Sequence, residues 1–156
     1  MGKVIGDAKY TASDVAKWFL CHNEIEVETG GADELTNMKI QKLLYYAQGA
    51  FLAVTGKPLF SDPICAWTHG PVVPNVYHEY KVHGRRGIPV PTDFDPDMFD
   101  EEERALLSEV YDEFGQYSAW KLRNMTHSET PWIKTAQGEE IPLDSIKGYF
   151  KEHYVA

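Results

Sequence analysis

The sequence has 156 residues, enough for one domain, and its 43% hydrophobic and 25% charged residues are typical of a globular protein. Its 24 acidic and 15 basic side chains give a net charge of −9, which argues against nucleic-acid binding because such binding needs a basic patch. The two widely separated cysteines, Cys21 and Cys65, argue against a disulfide framework or a zinc cluster. No apolar run has the length of a signal peptide or a membrane span, so we expect a cytoplasmic protein without a membrane partner.

The N-terminal part of the chain predicts one helix and one loop. Residues Thr11–His22 have an apolar stripe at helical spacing, formed by Val15, Trp18 and Phe19. The following residues, Asn23–Glu34, contain two glycines in succession and predict a loop.

The run from Asn37 to Gly56 predicts the central helix of the fold. An apolar stripe recurs along it at helical spacing, formed by Ile40, Leu43, Leu44, Ala47, Phe51 and Val54. Its second half is apolar on nearly every side, which is typical of a helix buried inside a domain. The polar residues Lys39, Gln41 and Lys42 crowd its first turns, so we expect that end to reach the surface.

The middle of the chain predicts short extended segments, a helix and a long loop. Leu59–Phe60 and Ile64–Thr68 favour β structure and are separated by the turn-forming residues Ser61–Pro63, which predicts a small strand pair or an extended segment. A helix is expected to begin at Pro74 and to run to about His83. The proline-rich residues Arg85–Met98 have no periodicity and predict a loop.

The C-terminal part predicts further helices. Asp100 and Glu103 can form a capping box for a helix that ends at Gly115. A short helix follows from Ser118 to Met125, then another through about Ala136, and a terminal helix from Asp144. The expected fold is therefore mainly α: a single compact helical domain over residues 1–156, with its core at about 15–150, built around a central buried helix, with a minor two-stranded β element.

The histidines and cysteines do not form a recognisable catalytic or metal-binding pattern. None of the six histidines is spaced as a helical ligand pair, and no nucleophile elbow or phosphate-binding glycine loop is present. We therefore expect no enzyme, no catalytic residue, no metal and no cofactor. The sequence leaves open one alternative, a small metal-dependent enzyme that uses the distant residues His69 and His127, with Cys65 nearby.

Two histidine-containing segments are predicted to be structural corners. In Thr68–Val72, a glycine before a proline permits a sharp backbone turn, and His69 can tie that turn to a neighbouring helix. In Thr126–Trp132, one helix ends at a histidine and a tryptophan begins the next, with an indole N–H that needs a partner. Both segments are expected to lock short pieces of chain onto the central helix.

Several separated motifs in one order resemble the Panacea domain, the SocA-like antitoxin domain that also occurs in phage-associated proteins. They are the run LLYYAQG at Leu43–Gly49, the turn Gly56–Phe60, the segment Trp67–Val72, the pair Val76–Tyr77 and the later segment Thr126–Trp132. The motif residues, which we expect to be structural, are Tyr45, Tyr46, Trp67, His69, Gly70, Pro71, Tyr77, Thr126, His127, Pro131 and Trp132.

The resemblance implies an antitoxin that neutralises a cognate toxin, usually encoded by the adjacent gene, by direct binding. It also leaves open a protease adaptor that delivers the toxin for degradation, and it implies no catalytic residue or cofactor. Two surfaces are candidates for partner binding. One is the acidic face of the helix after Asp100, and the other is the loop after His83. The acidic face carries Glu102, Glu109 and Glu113, and the loop carries Arg85 and Arg86.

Overall fold

Seven α-helices and one two-stranded antiparallel sheet make up residues 8–154, the part of the chain that the computed structural model describes. The elements are α1 Ala12–Glu28, α2 Asn37–Thr55, β1 Cys65–Trp67, β2 Gly70–Val72, α3 Pro74–Tyr80, α4 Glu101–Phe114, α5 Ala119–His127, α6 Thr130–Ile133 and α7 Leu143–His153. Two 3₁₀ turns, Lys81–His83 and Pro96–Met98, lie in the connections. The prediction of a mainly α fold with a minor β element is confirmed. The start of the chain, on which the expectation about signal peptides rests, lies outside the described residues.

Helix α2 is the centre of the fold, as predicted. Of its 19 residues, 14 are buried, and it packs against α1, α3, α4, α5, α7 and β2. The Thr36 side chain accepts a hydrogen bond from the backbone N–H of Lys39 and caps its start. Its end is set by Gly56, whose φ of +79° lies in the left-handed region that favours glycine.

The expectation that the polar first turns of α2 reach the surface is wrong. Gln41 and Lys42 are each only 1% exposed, because the β-hairpin and α3 cover this end of the helix. Even the half-buried Lys39 donates a hydrogen bond to the Gly115 carbonyl, at 2.6 Å. At the other end of the helix, a residue that was predicted to be buried is exposed. Val54, assigned to the buried stripe, is 56% exposed, because α4 and α7 leave a groove open beside it.

The small sheet contains one of the two predicted β segments: β1 lies within Ile64–Thr68, whereas its partner β2 was not predicted. Its two strands are β1 and β2, so the hairpin turn falls at Thr68–His69. Leu59–Phe60 does not join this sheet. Its two backbone N–H groups and the Phe60 carbonyl bond instead to the side-chain amide of Gln48, and Phe60 makes an isolated bridge with Tyr10.

The helix boundaries differ from prediction mainly at the ends. Helix α1 extends to Glu28, beyond the predicted end at His22, and α6 stops at Ile133, before the predicted Ala136. The capping box that Asp100 and Glu103 were expected to form at the start of α4 is present. Within residues 8–154, no helix is both long and apolar enough to cross a membrane.

Candidate functional site

A cavity of about 630 Å³ lies where the start of α2 meets the β-hairpin and the end of α3. We call it the hairpin cavity. Three of the motif residues line it: Trp67 on β1, His69 in the hairpin turn and Tyr77 on α3. The structure thus brings these three predicted residues to one concave site.

The hairpin turn is pressed tightly against two helices. Gly70 has a φ of +112°, and a β-carbon there would lie 2.7 Å from Thr126 Oγ1 and 2.9 Å from Lys42 Cε. Only glycine fits this conformation and this space. His69 Nδ1 accepts a hydrogen bond from Arg123 Nε at 3.2 Å, so the imidazole joins the turn to α5.

A chain of buried amide hydrogen bonds fixes one wall of the hairpin cavity. The Val73 backbone N–H donates to Gln41 Oε1 at 2.8 Å, and Gln41 Nε2 donates to Asn37 Oδ1 at 2.9 Å. Asn37 Nδ2 in turn donates to the Tyr77 carbonyl at 3.1 Å. Each polar group therefore has a partner, and the start of α2 is tied to both the hairpin and α3.

Lys42 is a buried lysine on the lining of the hairpin cavity. Its Nζ donates one hydrogen bond, to the Pro71 carbonyl at 3.2 Å. Burial, and then the positive charge of Arg123, lower the pKa of the Lys42 ammonium to about 7. Within residues 8–154, no carboxylate forms a salt bridge with it.

The two arginines predicted to bind a partner are separated by the structure. Arg85 is exposed and lines the hairpin cavity, together with the exposed Lys81. Arg86 is also exposed, but its Nε donates to the His83 carbonyl within its own turn. Of these two arginines, Arg85 alone belongs to the described lining of the cavity.

The second histidine corner packs against the hairpin. The His127 and Trp132 rings stack with centroids 4.0 Å apart, and the Trp132 indole N–H donates to the Trp67 carbonyl at 2.9 Å. Burial, and then the nearby Arg123, lower the pKa of His127. Its Nε2 is buried and has no hydrogen-bond partner among the described residues. Pro131, which precedes Trp132 in α6, is buried.

Glu129, the residue that precedes α6, has a buried carboxylate that the sequence analysis did not identify. Glu129 is 2% exposed and accepts hydrogen bonds from the hydroxyls of Tyr45, Tyr46 and Tyr154, at 2.9, 2.9 and 2.5 Å. Burial raises the pKa of Glu129, although the three tyrosine hydrogen bonds act in the opposite direction. The available signal was the pair of tyrosines on an apolar buried helix, because buried hydroxyls need a partner.

The predicted acidic surface of α4 borders a second concavity. Glu102, Glu109 and Glu113 are all exposed. Glu109 and Glu113 line a groove of about 780 Å³ between α4 and α7, whereas Glu102 lies outside its described lining. We call it the α4–α7 groove. Apolar side chains form part of its lining, including the exposed Val54 and the half-buried Leu106.

The geometry of the remaining candidate residues does not build a metal centre. Across residues 8–154, no group of three or more His, Cys, Asp or Glu side chains is arranged to hold a metal ion. His69 is engaged with Arg123, and His127 is stacked on Trp132. Cys65 and Cys21 are both free thiols.

Comparison with known proteins identifies the family. Residues 40–133 match the family described as antitoxin SocA-like, Panacea domain. Over 120 residues the chain is 33% identical to antitoxin SocA of Caulobacter vibrioides, an alignment that covers 67% of this chain and 61% of that relative. No solved structure gives a significant match. The chain therefore belongs to the SocA-like antitoxin family defined by the Panacea domain.

Proposed function

We propose that this protein is the antitoxin of a toxin–antitoxin pair and neutralises its cognate toxin by direct protein–protein binding. The observation that carries the proposal is membership of the SocA-like antitoxin family, whose matched segment runs from the core of α2 to α6. Binding of this kind needs a complementary surface and no catalytic residue or cofactor. The toxin is expected to be the product of the adjacent gene.

The α4–α7 groove is the surface that best fits a protein partner. Its lining combines apolar side chains with the carboxylates of Glu109, Asp112 and Glu113. An apolar floor beside fixed negative charge complements a segment that carries both apolar and basic side chains. We therefore propose that the toxin inserts a basic amphipathic segment here, such as the edge of a substrate-binding surface, and that Glu102 extends the acidic face along α4.

The loop that carries Arg85 and Arg86 is the second proposed contact. Both side chains are exposed, and they lie beyond the end of α3. An acidic patch on the toxin would complement them. A protease adaptor would bind the toxin through the same surfaces, so the binding surface does not distinguish it from simple occlusion. The abundance of the toxin during co-expression does, because only delivery to a protease would lower it.

Co-expression tests the function and the groove together. The product of the adjacent gene, expressed alone, is expected to stop growth, and co-expression of this chain is expected to restore it. The double variant Glu109→Lys and Glu113→Lys should lose this protection, because it reverses two charges on the groove. A matched control is Glu24→Lys with Glu28→Lys, an exposed pair at the same spacing on α1, which should protect as the wild type does.

Two results would refute the proposal. The antitoxin function fails if the neighbouring product is harmless alone or remains toxic in the presence of this chain. The assignment of the groove fails if the α4 double variant protects fully, or if the α1 control loses protection to the same extent.

A further inference from the structure

The charges around the hairpin cavity contrast with those of the whole chain. The sequence carries a net charge of −9. The cavity is nevertheless lined by three basic side chains, those of Lys42, Lys81 and Arg85. Among the described residues that line it, none is an aspartate or a glutamate. Such a concentration of one sign of charge in a concave site attracts ligands of the opposite sign.

Lys42 is the strongest indication that an anion belongs in this cavity. An ammonium group can donate three hydrogen bonds, yet Nζ of Lys42 makes one with the described residues, to a neutral carbonyl. Removing a cation from water without a counter-charge is unfavourable, so buried charges in proteins are normally paired. A bound anion would supply both the missing charge and acceptors for the remaining N–H groups.

Aromatic side chains supply the second feature of the cavity. Trp67 and Tyr77 are half-buried on its lining, with ring centroids 5.0 Å apart and planes inclined at 70°. Aromatic surface of this kind packs well against a planar ring. A volume of about 630 Å³ is within the range of roughly 300–1,000 Å³ that is usual for small-molecule sites.

The cavity is also held in shape before any ligand arrives. The buried amide chain of Asn37 and Gln41 and the tight turn at Gly70 fix its walls. Asn37 also lies in the first turn of α2, where the helix dipole favours a negative charge. A preformed site loses little conformational entropy on binding.

We propose that the hairpin cavity is a binding site for a small organic anion that carries both a carboxylate or phosphate and a planar ring. The anionic group contacts Lys42 and is approached by Arg85 and Lys81 at the rim. The ring packs against Trp67 and Tyr77. This site is separate from the α4–α7 groove, which borders Val54 near the other end of α2, but Arg85 at its rim also belongs to the second proposed toxin contact.

Calorimetric titration of the purified chain at about pH 6, without any toxin, tests the proposal. The probes are AMP and 4-hydroxybenzoate, which carry a phosphate and a carboxylate respectively. The controls are adenosine, which lacks the anionic group, and inorganic phosphate, which lacks the ring. We expect at least one probe to bind with a Kd below about 1 mM, and both controls to bind at least about tenfold more weakly. The better probe identifies which anionic group the cavity takes.

Variants tie the binding to the cavity. Lys42→Met should weaken binding of the better probe by about tenfold or more, because a charge-assisted hydrogen bond is lost. Arg85→Met changes an exposed rim residue, does not threaten folding, and should weaken binding by about threefold. Lys151→Met removes the same charge from an exposed position on α7 and should bind as the wild type does.

Four outcomes would overturn the proposal. They are a Kd above about 1 mM for both probes, equal binding of adenosine, equal binding of inorganic phosphate, and unchanged binding by Lys42→Met. If no probe binds but Lys42→Met prevents toxin binding, the occupant is an acidic side chain of the partner protein, and the small-molecule proposal is wrong. A thermal unfolding curve for each variant establishes that it is folded.

Discussion

At the scale of single residues, Lys42 shows how burial couples stability to pH. Its pKa is 10.5 in the unfolded chain and about 7 in the folded protein. Between those values the unfolded chain binds more protons, so the free energy of unfolding rises as pH increases from about 7 to about 10.5. Below about pH 7 the Lys42 side chain is charged in the folded protein, and the unfavourable free energy of burying that charge is fully present. Arg123 and His127 lie near Lys42, and His69, Lys81 and Arg85 line the same cavity; the lowered pKa of His127 places its own titration below this window.

Lys42→Met should therefore stabilise the ligand-free protein. At about pH 6 we expect a gain of roughly 1–3 kcal/mol in the free energy of unfolding, after the loss of the hydrogen bond to Pro71. The gain should shrink as the pH is raised toward about 10, because the wild-type lysine then becomes neutral. Urea denaturation of the variant and the wild type at about pH 6 and about pH 10 measures this difference in the free energy of unfolding. A variant that is less stable than the wild type at about pH 6 would contradict this account of the buried charge.

Glu129 illustrates a different case, a buried carboxylate whose oxygens accept three hydrogen bonds. Tyr45→Phe removes one of the three hydroxyls that bond to its carboxylate. The expected loss is about 1.5–3 kcal/mol, the usual value for a hydrogen bond to a charged group. Tyr117→Phe is the control, because the Tyr117 hydroxyl has no hydrogen bond within residues 8–154, and its effect should be close to zero. Equal denaturation midpoints for Tyr45→Phe and the wild type would show that the cluster does not stabilise the fold.

At the scale of elements, the packing of α7 on α2 depends on a glycine. A β-carbon at Gly49 would lie 2.4 Å from ring atoms of Phe150. Gly49→Ala should destabilise the protein by about 1–3 kcal/mol, because the overpacking outweighs a gain of about 1 kcal/mol in helix propensity. Gly148→Ala, in α7 with nothing within 4 Å of a β-carbon, should instead stabilise it by up to about 1 kcal/mol. Thermal melts of both variants test this, and shifts of the same sign would contradict it.

The sequence predicts the elements well where the determining interactions are local. The stripe of α2 and the capping box at Asp100 each depend on residues that are only a few positions apart. The capping box is present, and the stripe is buried except at Val54. The burial of Gln41 and Lys42 depends on partners at Val73 and Pro71, which lie 32 and 29 positions away. Hydrophobic periodicity carries no information about such distant polar contacts.

The candidate sites were predictable only in part for the same reason. Trp67, His69 and Tyr77 could be singled out from the sequence, but their convergence on one cavity depends on how the hairpin folds onto α2. Glu129 pairs with Tyr45 across 84 positions, so neither residue indicates the other in the sequence. The exposed acids of α4 were predictable because an amphipathic helix places its charges on the solvent side.

At the scale of the whole molecule, α2 separates two sites of opposite charge. The hairpin cavity involves Lys42 near its start, and the α4–α7 groove borders Val54 near its end, roughly 18 Å away along the helix axis. The cationic cavity is suited to a small anion, and the acidic groove to a basic segment of a protein. The two proposals therefore assign two different partners to the two ends of this helix.

The proposed antitoxin function depends above all on direct binding between this chain and the toxin. Calorimetric titration of the purified chain with the purified product of the adjacent gene measures it. We expect a saturable complex with a Kd of about 1 μM or tighter. The double variant Glu109→Lys with Glu113→Lys should weaken it at least about tenfold, and Glu24→Lys with Glu28→Lys should leave it unchanged. Absence of any complex between the two folded proteins would contradict it.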